Sequence, residues 1–306
     1  MTLMIRDFTP ADADATAAAH RAGREHLVLT PEMFGWFAAH QPAGRHYRTF
    51  VAELDGLVVG SIRCGLVTGT SSAGVASANG SVLPGHRRRG AFTALLAAAE
   101  RHLAAHGATE VHSWVDDVPE GLAFAARRGY RQGRSAYFAH RDLTAPLPPV
   151  PALQAGVELR TAADHRDDPY SLFVVVADAL RDEPDDVEHD RTDYDDWLGS
   201  VWARPDLDRE LTVVALVDGR PAALSAVQTD GAARYWSAFT GCRRAYRGRG
   251  LSTLAKTHSL HLARAAGLTD AFTSNDATNA PMLAINERLG YRRCAGERRF
   301  IKQLTS

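Results

Sequence analysis

The stretch Thr240 to Leu254, T-G-C-R-R-A-Y-R-G-R-G-L-S-T-L, joins a predicted strand to a predicted helix through a turn of arginines and glycines. The residues before it, Tyr235 to Thr240, are aromatic and β-prone, and Leu251 to Ala266 carries apolar residues at close to a helical period. Glycines let a backbone approach a ligand closely, and unpaired N–H groups at a helix start favour an anion. The stretch therefore predicts a pyrophosphate site. The alternative is a solvated basic turn before a surface helix.

The same pattern occurs earlier in the chain, from Val82 to Leu96, V-L-P-G-H-R-R-R-G-A-F-T-A-L-L. Arg87 and Gly90 each recur 160 residues later, as Arg247 and Gly250, and a Gly-Tyr pair further along each half recurs at an offset of 161. Two motifs that repeat in register predict two similar domains in tandem.

Arg247 to Ser252, R-G-R-G-L-S, resembles the R/Q-x-x-G-x-G/A loop of the GNAT acetyltransferase superfamily, which binds the pyrophosphate of acetyl-CoA. Ser252 stands where glycine or alanine is usual. The segment from Thr273 to Tyr291 resembles T-x-N-x-x-x-N-x-x-M-L-x-I-N-x-x-L-G-F/Y, found in one branch of that superfamily. Asn275 and Asn279 can bond the pantetheine arm of acetyl-CoA, or they can simply cap the following helix.

The resemblance covers nearly the whole chain and implies an α/β fold. Each of two tandem GNAT-like domains is expected to be a mixed sheet, splayed between its fourth and fifth strands and flanked by helices. We place the domains at residues 1–142 and 156–306, with a proline-rich linker at 143–155. A length of 306 residues allows two domains of ordinary size.

Strand and turn signals predict how each half begins and ends. The first half opens with a strand from Leu3 to Phe8, has its central strand from Ala73 to Leu83, and closes with a hairpin that runs to Arg141. The second half restarts at Val157 and closes with two strands, Arg292 to Cys294 and Arg298 to Gln303.

The resemblance implies a set of acetyl-CoA contacts in each half. In the second half they are Thr240, Gly241, Cys242, Arg247, Gly248, Arg249, Gly250, Leu251, Ser252, Asn275 and Asn279, and in the first half Val82, Arg87, Arg88, Arg89, Gly90, Ala91 and Phe92.

The first half departs from the family pattern in two places. Phe92 replaces a small residue, and the acidic pair Asp116 and Asp117 could repel phosphates. The second half is therefore expected to be catalytic, and the alternatives for the first half are a degenerate scaffold or a domain that binds acetyl-CoA less tightly.

The chemistry that this fold implies is direct transfer of an acetyl group to an amine. The backbone N–H of Cys242, five residues before Arg247, is expected to polarise the thioester carbonyl. The family often protonates the leaving thiolate with a tyrosine four residues before the terminal glycine, a position held here by Ala125 and Asn286. Neither is an acid, although Asn286 could bond the thioester sulphur or pantetheine. Solvent or Tyr235 is then the candidate acid.

The bulk composition excludes several other classes. A net charge of -1 argues against a nucleic-acid or membrane-surface binder, which would carry a basic excess. Three widely spaced cysteines and the pair His258 and His261 offer no complete metal-ligand set. We find no signal peptide and no apolar run of spanning length, so we expect a cytoplasmic monomer or homodimer.

The sequence thus predicts an acetyl-CoA-dependent N-acetyltransferase that acts on a small amine. A non-catalytic acyl-CoA-binding or interaction module on a decayed enzyme scaffold is the alternative. The acidic segment from Arg181 to Trp197 is either an electrostatic funnel for a cationic acceptor or a solvated loop and helix face.

Overall fold

The computed structural model describes residues 2–188 and 190–304. The chain divides into two compact units, which we describe separately. Unit 1 consists of Met1–Ala136 and Gly296–Ser306, and unit 2 of Tyr137–Ala295.

Unit 1 begins with a strand and two helices and continues as a sheet that is covered by a long helix. Its elements are β1 (Leu3–Asp7), α1 (Ala13–Arg21), α2 (Pro31–Ala39), β2 (Arg48–Leu54), β3 (Leu57–Leu66), β4 (Val75–Val82), α3 (Ala91–Ala105), β5 (Glu110–Asp116), α4 (Pro119–Arg127) and the first part of β6 (Arg131–Asp142). β1 to β4 pair as antiparallel neighbours, and β4 pairs with β5 in parallel.

Unit 2 repeats this order of elements. It contains the second part of β6, then β7 (Val157–Thr161), α5 (Pro169–Leu180), α6 (Tyr194–Trp197), β8 (Val213–Val217), β9 (Arg220–Thr229), β10 (Arg234–Cys242), α7 (Leu251–Ala265), β11 (Asp270–Asp276), α8 (Ala280–Arg288) and the start of β12 (Arg292–Gln303). β7 to β10 are antiparallel neighbours, and β10 pairs with β11 in parallel.

The helices α3 and α7 follow the two arginine-glycine turns and have corresponding roles. Each is 15 residues long and buries one apolar side against the sheet of its own unit. Leu95 and Leu103 of α3 are fully buried, as is Leu260 of α7. Because this packing fixes each helix on its sheet, it also fixes the direction in which the first turn points.

The parallel strand pair in each unit separates towards its carboxyl end. β10 pairs with β11 only from Arg234 to Ser237, although β10 continues to Cys242. In unit 1, β4 pairs with β5 only from Val75 to Ser77. A cleft therefore opens between the two strands in each unit. The predicted α/β class, with a splayed mixed sheet in each half, is confirmed.

The last strand of the chain returns to unit 1. Residues Glu297 to Gln303 of β12 pair antiparallel with β5. The predicted hairpin ending at Arg141 and the two predicted strands after Arg292 are both wrong, because β6 and β12 are single strands of 12 residues each. Gly133 and Gly296 lie inside these strands, and neither has the positive φ that a tight turn would need.

The unit boundaries differ from the predicted domain boundaries. The expected domain 156–306 loses residues 296–306 to unit 1, and the expected linker 143–155 falls within unit 2. Leu143 is buried in the core of unit 2, and its N–H donates to the carbonyl of Thr269.

Candidate functional site

The candidate site of unit 2 is a cavity of about 380 Å³ where β10 and β11 separate. Its walls come from the end of β10, the following loop, the first turns of α7, the end of β11 and the start of α8. Thr240, Gly241, Cys242, Arg247, Gly248, Gly250, Leu251, Ser252, Asn275 and Asn279 all line it. The structure thus brings ten of the eleven predicted residues of this half to one cavity, and Arg249 is the exception.

The loop between β10 and α7 is shaped by its glycines. Gly250 precedes the first helical residue of α7 with φ at 74°, and Gly248 has φ at 77°. Both values lie in the left-handed region that glycine occupies without strain. The loop is held from both sides: the Arg247 Nε donates to the carbonyl of Cys242 at 3.2 Å, and the Gln154 Nε2 donates to the carbonyl of Arg249 at 2.9 Å. The unpaired N–H groups of the first turn of α7 then face the cavity end of the loop.

The direction of the Cys242 N–H follows from its neighbour. The N–H of Arg243 donates to the carbonyl of Ala222 in β9, at 2.9 Å. Successive N–H groups of a strand point to opposite sides, so the Cys242 N–H points away from β9, towards the cleft. A β-bulge between Ser237 and Phe239 shifts the register of β10 before this point. The residue predicted to donate to a thioester carbonyl therefore presents its N–H to the cavity.

The Cys242 side chain plays a different part from its backbone. Burial raises the pKa of its thiol, so it stays protonated at neutral pH. This agrees with a packing role for the sulphur.

The arginines of the loop are partly neutralised by Asp182. Asp182 forms ion pairs with both Arg244 and Arg247, the latter at 2.7 Å, and these guanidinium groups hold the pKa of its carboxyl well below the usual range. The N–H of Arg244 also donates to Asp178, at 2.7 Å. Asp182, at the start of the acidic segment, therefore offsets positive charge in the loop between β10 and α7.

A lysine that sequence reasoning missed lies in the cavity wall. Lys256 of α7 is fully buried, and its ammonium donates to Asn286 Oδ1 at 2.7 Å. Asn286 in turn donates to Asn275 Oδ1 at 2.5 Å. Burial lowers the pKa of Lys256 to about 7. The available signal was that Lys256 is one of only two lysines and falls on the apolar side of a predicted helix.

Two of the predicted catalytic side chains do not reach the cavity. Tyr235 is fully buried, its hydroxyl is hydrogen-bonded to Ser259 at 3.0 Å, and burial raises its pKa. Asn286 is 4% exposed, and both ends of its amide are occupied inside the protein. Any contact of Asn286 with a ligand is therefore indirect, through Asn275. Asn279 lines the cavity and also caps α8, accepting from the N–H of Met282 at 3.3 Å.

Unit 1 has its own cavity, of about 840 Å³, at the equivalent place. Here Arg87 donates to the carbonyl of Val82 at 3.3 Å, and Gly90 precedes α3 with φ at 84°. Arg88 takes the left-handed conformation that Gly248 takes in unit 2, with φ at 65°. The equivalent turn of unit 1 therefore carries more backbone strain.

The departures of unit 1 from the family pattern have structural counterparts. Asp116 is paired with Arg24 at 2.8 Å, and Asp117 with Arg298 at 2.8 Å, so both negative charges are offset. Phe92 packs edge-on against Phe124 in the cavity wall, with ring centroids 5.4 Å apart. Val82, Arg87, Arg88, Gly90 and Ala91 line the same cavity, whereas Arg89 is not among its lining residues.

Residues 2–188 and 190–304 contain no group of three or more histidine, cysteine, aspartate or glutamate side chains placed to hold a metal ion. None of their helices has both the length and the apolar character needed to cross a membrane.

Comparisons with known proteins agree with this geometry. Residues 14–132 match the model of the Acetyltransferase (GNAT) family. A mycothiol acetyltransferase of Streptomyces coelicolor is 28% identical over 94% of this chain and 90% of its own. Another, from Clavibacter michiganensis, is 32% identical over 69% of this chain and 67% of its own.

Solved structures share the fold. A tandem GNAT protein from the clavulanic acid biosynthesis pathway superposes with a TM-score of 0.76 at 23% identity, covering 100% of this chain and 99% of its own. A GCN5-related N-acetyltransferase from Sphaerobacter thermophilus gives a TM-score of 0.73 at 21% identity, covering 98% and 95%. With two left-handed glycine turns, two splayed sheets and these relatives, the chain belongs to the GNAT acetyltransferase family and is an acyltransferase of tandem architecture.

Proposed function

We propose that the protein transfers the acetyl group of acetyl-CoA directly to a small amine, and that unit 2 holds the active site. The observation that carries this proposal is the placement of the Cys242 N–H. It faces a cleft that ends at the glycine turn before α7. An anion-binding turn and a carbonyl-polarising donor thus lie along one cavity, which suits a thioester attached to a pyrophosphate-bearing arm.

The residues of unit 2 have distinct parts in this reaction. The loop from Arg247 to Ser252 binds the pyrophosphate through backbone N–H groups, with arginine charge in support. The cleft between β10 and β11 holds the pantetheine arm, and Asn275 and Asn279 lie on its wall. The amine attacks the thioester carbon, and the Cys242 N–H stabilises the oxyanion that forms. Collapse of this intermediate breaks the C–S bond and releases CoA as its thiolate, while the amine gives up a proton to solvent and solvent protonates the thiolate. A preorganised donor of this kind lowers the activation barrier by roughly 2.7–4 kcal/mol.

The choice of unit 2 over unit 1 rests on the cavity walls. Unit 2 has amide side chains from Asn275 and Asn279 at its cavity, where unit 1 has the carboxylate of Asp116 and the ring of Phe92. Amides can bond the carbonyls and N–H groups of pantetheine in either direction, whereas a carboxylate only accepts. Unit 1 retains the glycine turn, so we expect it to bind acetyl-CoA more weakly.

The acceptor proposal follows from the relatives. Proteins similar to this chain are named mycothiol acetyltransferases. A mycothiol-related amine is therefore the first acceptor to assay, alongside a panel of other small amines.

Two measurements test the proposal together. Isothermal titration should show acetyl-CoA binding, and a thiol-release assay with the amine panel should show turnover. Binding without turnover on the whole panel would favour the non-catalytic module. Turnover that survives disruption of the unit 2 turn and is lost with the unit 1 turn would move the active site to unit 1.

A further inference from the structure

Lys256 is a buried amine in the wall of the unit 2 cavity. Its Nζ lies 2.7 Å from Asn286 Oδ1 and 5.0 Å from the centroid of the Tyr291 ring. Within residues 2–188 and 190–304, no carboxylate pairs with it. Burying an unpaired amine is costly, so its position beside a cavity suggests a role in function.

The chemistry of Lys256 fixes the direction of a hydrogen-bond chain. An ammonium group has three donors and no acceptor. Asn286 must therefore turn its Oδ1 to Lys256, which directs its Nδ2 to Asn275 Oδ1 at 2.5 Å. Asn275 thus uses its carbonyl oxygen inside the protein. Its amide Nδ2, with two donors, remains for the cavity that Asn275 lines.

We propose that Lys256 is a positioning residue, which acts through Asn286 to make Asn275 a hydrogen-bond donor to an amide carbonyl of the acyl-CoA pantetheine arm. This inference rests on the proposed function. Asn275 lies two residues beyond Thr273, the last residue of β11 that pairs with β10, so it stands where the cleft has opened. If the hydrogen bonds from Lys256 through Asn286 to Asn275 ran in the opposite direction, Asn275 would present its oxygen to that carbonyl, and the two acceptors would repel each other.

The direction of the hydrogen bonds from Lys256 to Asn275 should depend on pH. Burial lowers the pKa of Lys256 to about 7, and a neutral amine gains a lone pair that no longer forces the orientation of Asn286. The other titratable groups nearby are Tyr291, beneath Nζ, and Tyr235, which helps to raise the pKa of Tyr291. Burial keeps both tyrosines neutral, and the guanidinium of Arg141 also lies near Tyr291. Affinity for acetyl-CoA should therefore fall severalfold as pH rises from 6 to 8.5.

The variant Asn286→Asp tests the direction of the hydrogen bonds between Lys256, Asn286 and Asn275. Aspartate still accepts from Lys256, but it cannot donate to Asn275, which must then turn its amide inward and its oxygen to the cavity. We would measure binding by isothermal titration at pH 6.5 in a chain carrying Gly90→Val, which disrupts the unit 1 turn. The two probes are acetyl-CoA and adenosine 3′,5′-bisphosphate, which lacks the pantetheine arm. The expected result is at least a tenfold loss for acetyl-CoA and none for the nucleotide.

Two lysine variants complete the test. Lys256→Met should abolish the pH dependence of acetyl-CoA affinity, whereas the same substitution at Lys302, which pairs with Glu100 in unit 1, should leave it unchanged. Unaltered acetyl-CoA affinity in Asn286→Asp, or an equal loss of both probes, would overturn the inference alone. Failure of the parent chain to bind acetyl-CoA would remove the proposed function and this inference with it. If Lys256→Met does not fold, the Asn286→Asp comparison decides.

Discussion

Replacing Gly250 by valine should distort the turn before α7 in unit 2, because valine is strained in the backbone conformation of Gly250. Gly250 has φ at 74° immediately before α7. The left-handed region costs an L-residue roughly 1–2 kcal/mol, and a strained residue up to about 3 kcal/mol. In the part of the chain that the structure describes, no heavy atom beyond the glycine and its chain neighbours lies within 4 Å of a Cβ built at this position. The loss should therefore come from φ, and we expect the free energy of unfolding to fall by about 1–3 kcal/mol.

The effect on acetyl-CoA binding has a separate cause. If valine draws the turn towards negative φ, the N–H groups of Leu251 and Ser252 no longer converge on the pyrophosphate. A hydrogen bond to a charged group contributes roughly 1.5–3 kcal/mol, so losing one weakens binding by about tenfold or more. Isothermal titration with acetyl-CoA and chemical denaturation measure the two effects independently.

Two matched variants separate the causes. Asparagine tolerates the left-handed region, so Gly250→Asn should keep most of the stability. If it also loses affinity, the phosphate approaches the Cα too closely for any side chain. Gly90→Val repeats the change in unit 1, where φ is 84°. Wild-type stability and wild-type acetyl-CoA affinity in Gly250→Val would refute the reasoning.

Three further outcomes are expected. Asp182→Asn should tighten acetyl-CoA binding severalfold at low salt, because it removes a negative charge paired to Arg247, and titration at high salt should erase the difference. Lys256 has a pKa of about 7 in the folded chain, below its ordinary 10.5, so the unfolded chain binds more protons between these pH values. The free energy of unfolding should therefore rise with pH in this range, by up to about 1.4 kcal/mol per pH unit. Chemical denaturation of Lys256→Met should show no such rise. Burial raises the pKa of Glu297 from 4.5 to about 7, so between these pH values the folded chain binds more protons than the unfolded chain and loses stability as pH rises. Glu297→Gln should therefore unfold at a higher temperature than wild type at pH 8. An unchanged or lower Tm would contradict the raised pKa of Glu297.

Local chemistry and periodicity made much of this protein predictable from its sequence. The recurrence of Arg87 and Gly90 at Arg247 and Gly250 predicted two similar units, because the same left-handed glycine begins a helix in each. The predicted limits of most helices and strands lie within two or three residues of the observed limits, since these limits depend on the apolar period and on nearby glycine and proline. The sequence indicates Cys242 because it stands five residues before Arg247 in the family pattern, but the side to which its N–H points follows only from the hydrogen bond of Arg243 to Ala222 in the structure.

Only the tertiary structure determined that β6 and β12 are single strands and which strands they pair with. The segments Arg131–Asp142 and Arg292–Gln303 each contain a glycine that permits a turn, and local sequence does not tell which strand will pair with which. Pairing of β12 with β5 joins residues nearly 190 positions apart, and its favourable free energy comes from contacts that no short window contains.

The Lys256 chain and the Asp182 ion pairs also depend on the fold. In the sequence, Lys256 is one of several polar residues in a helix, and Asn286 stands 30 positions away. Packing of α7 and α8 brings the two side chains together and removes water from both, which lowers the lysine pKa and fixes the hydrogen-bond direction. The sequence by itself determined the left-handed glycine turn before α7; the tertiary structure determined which charges and amides surround it, because burial and distance between remote residues exist only in the folded chain.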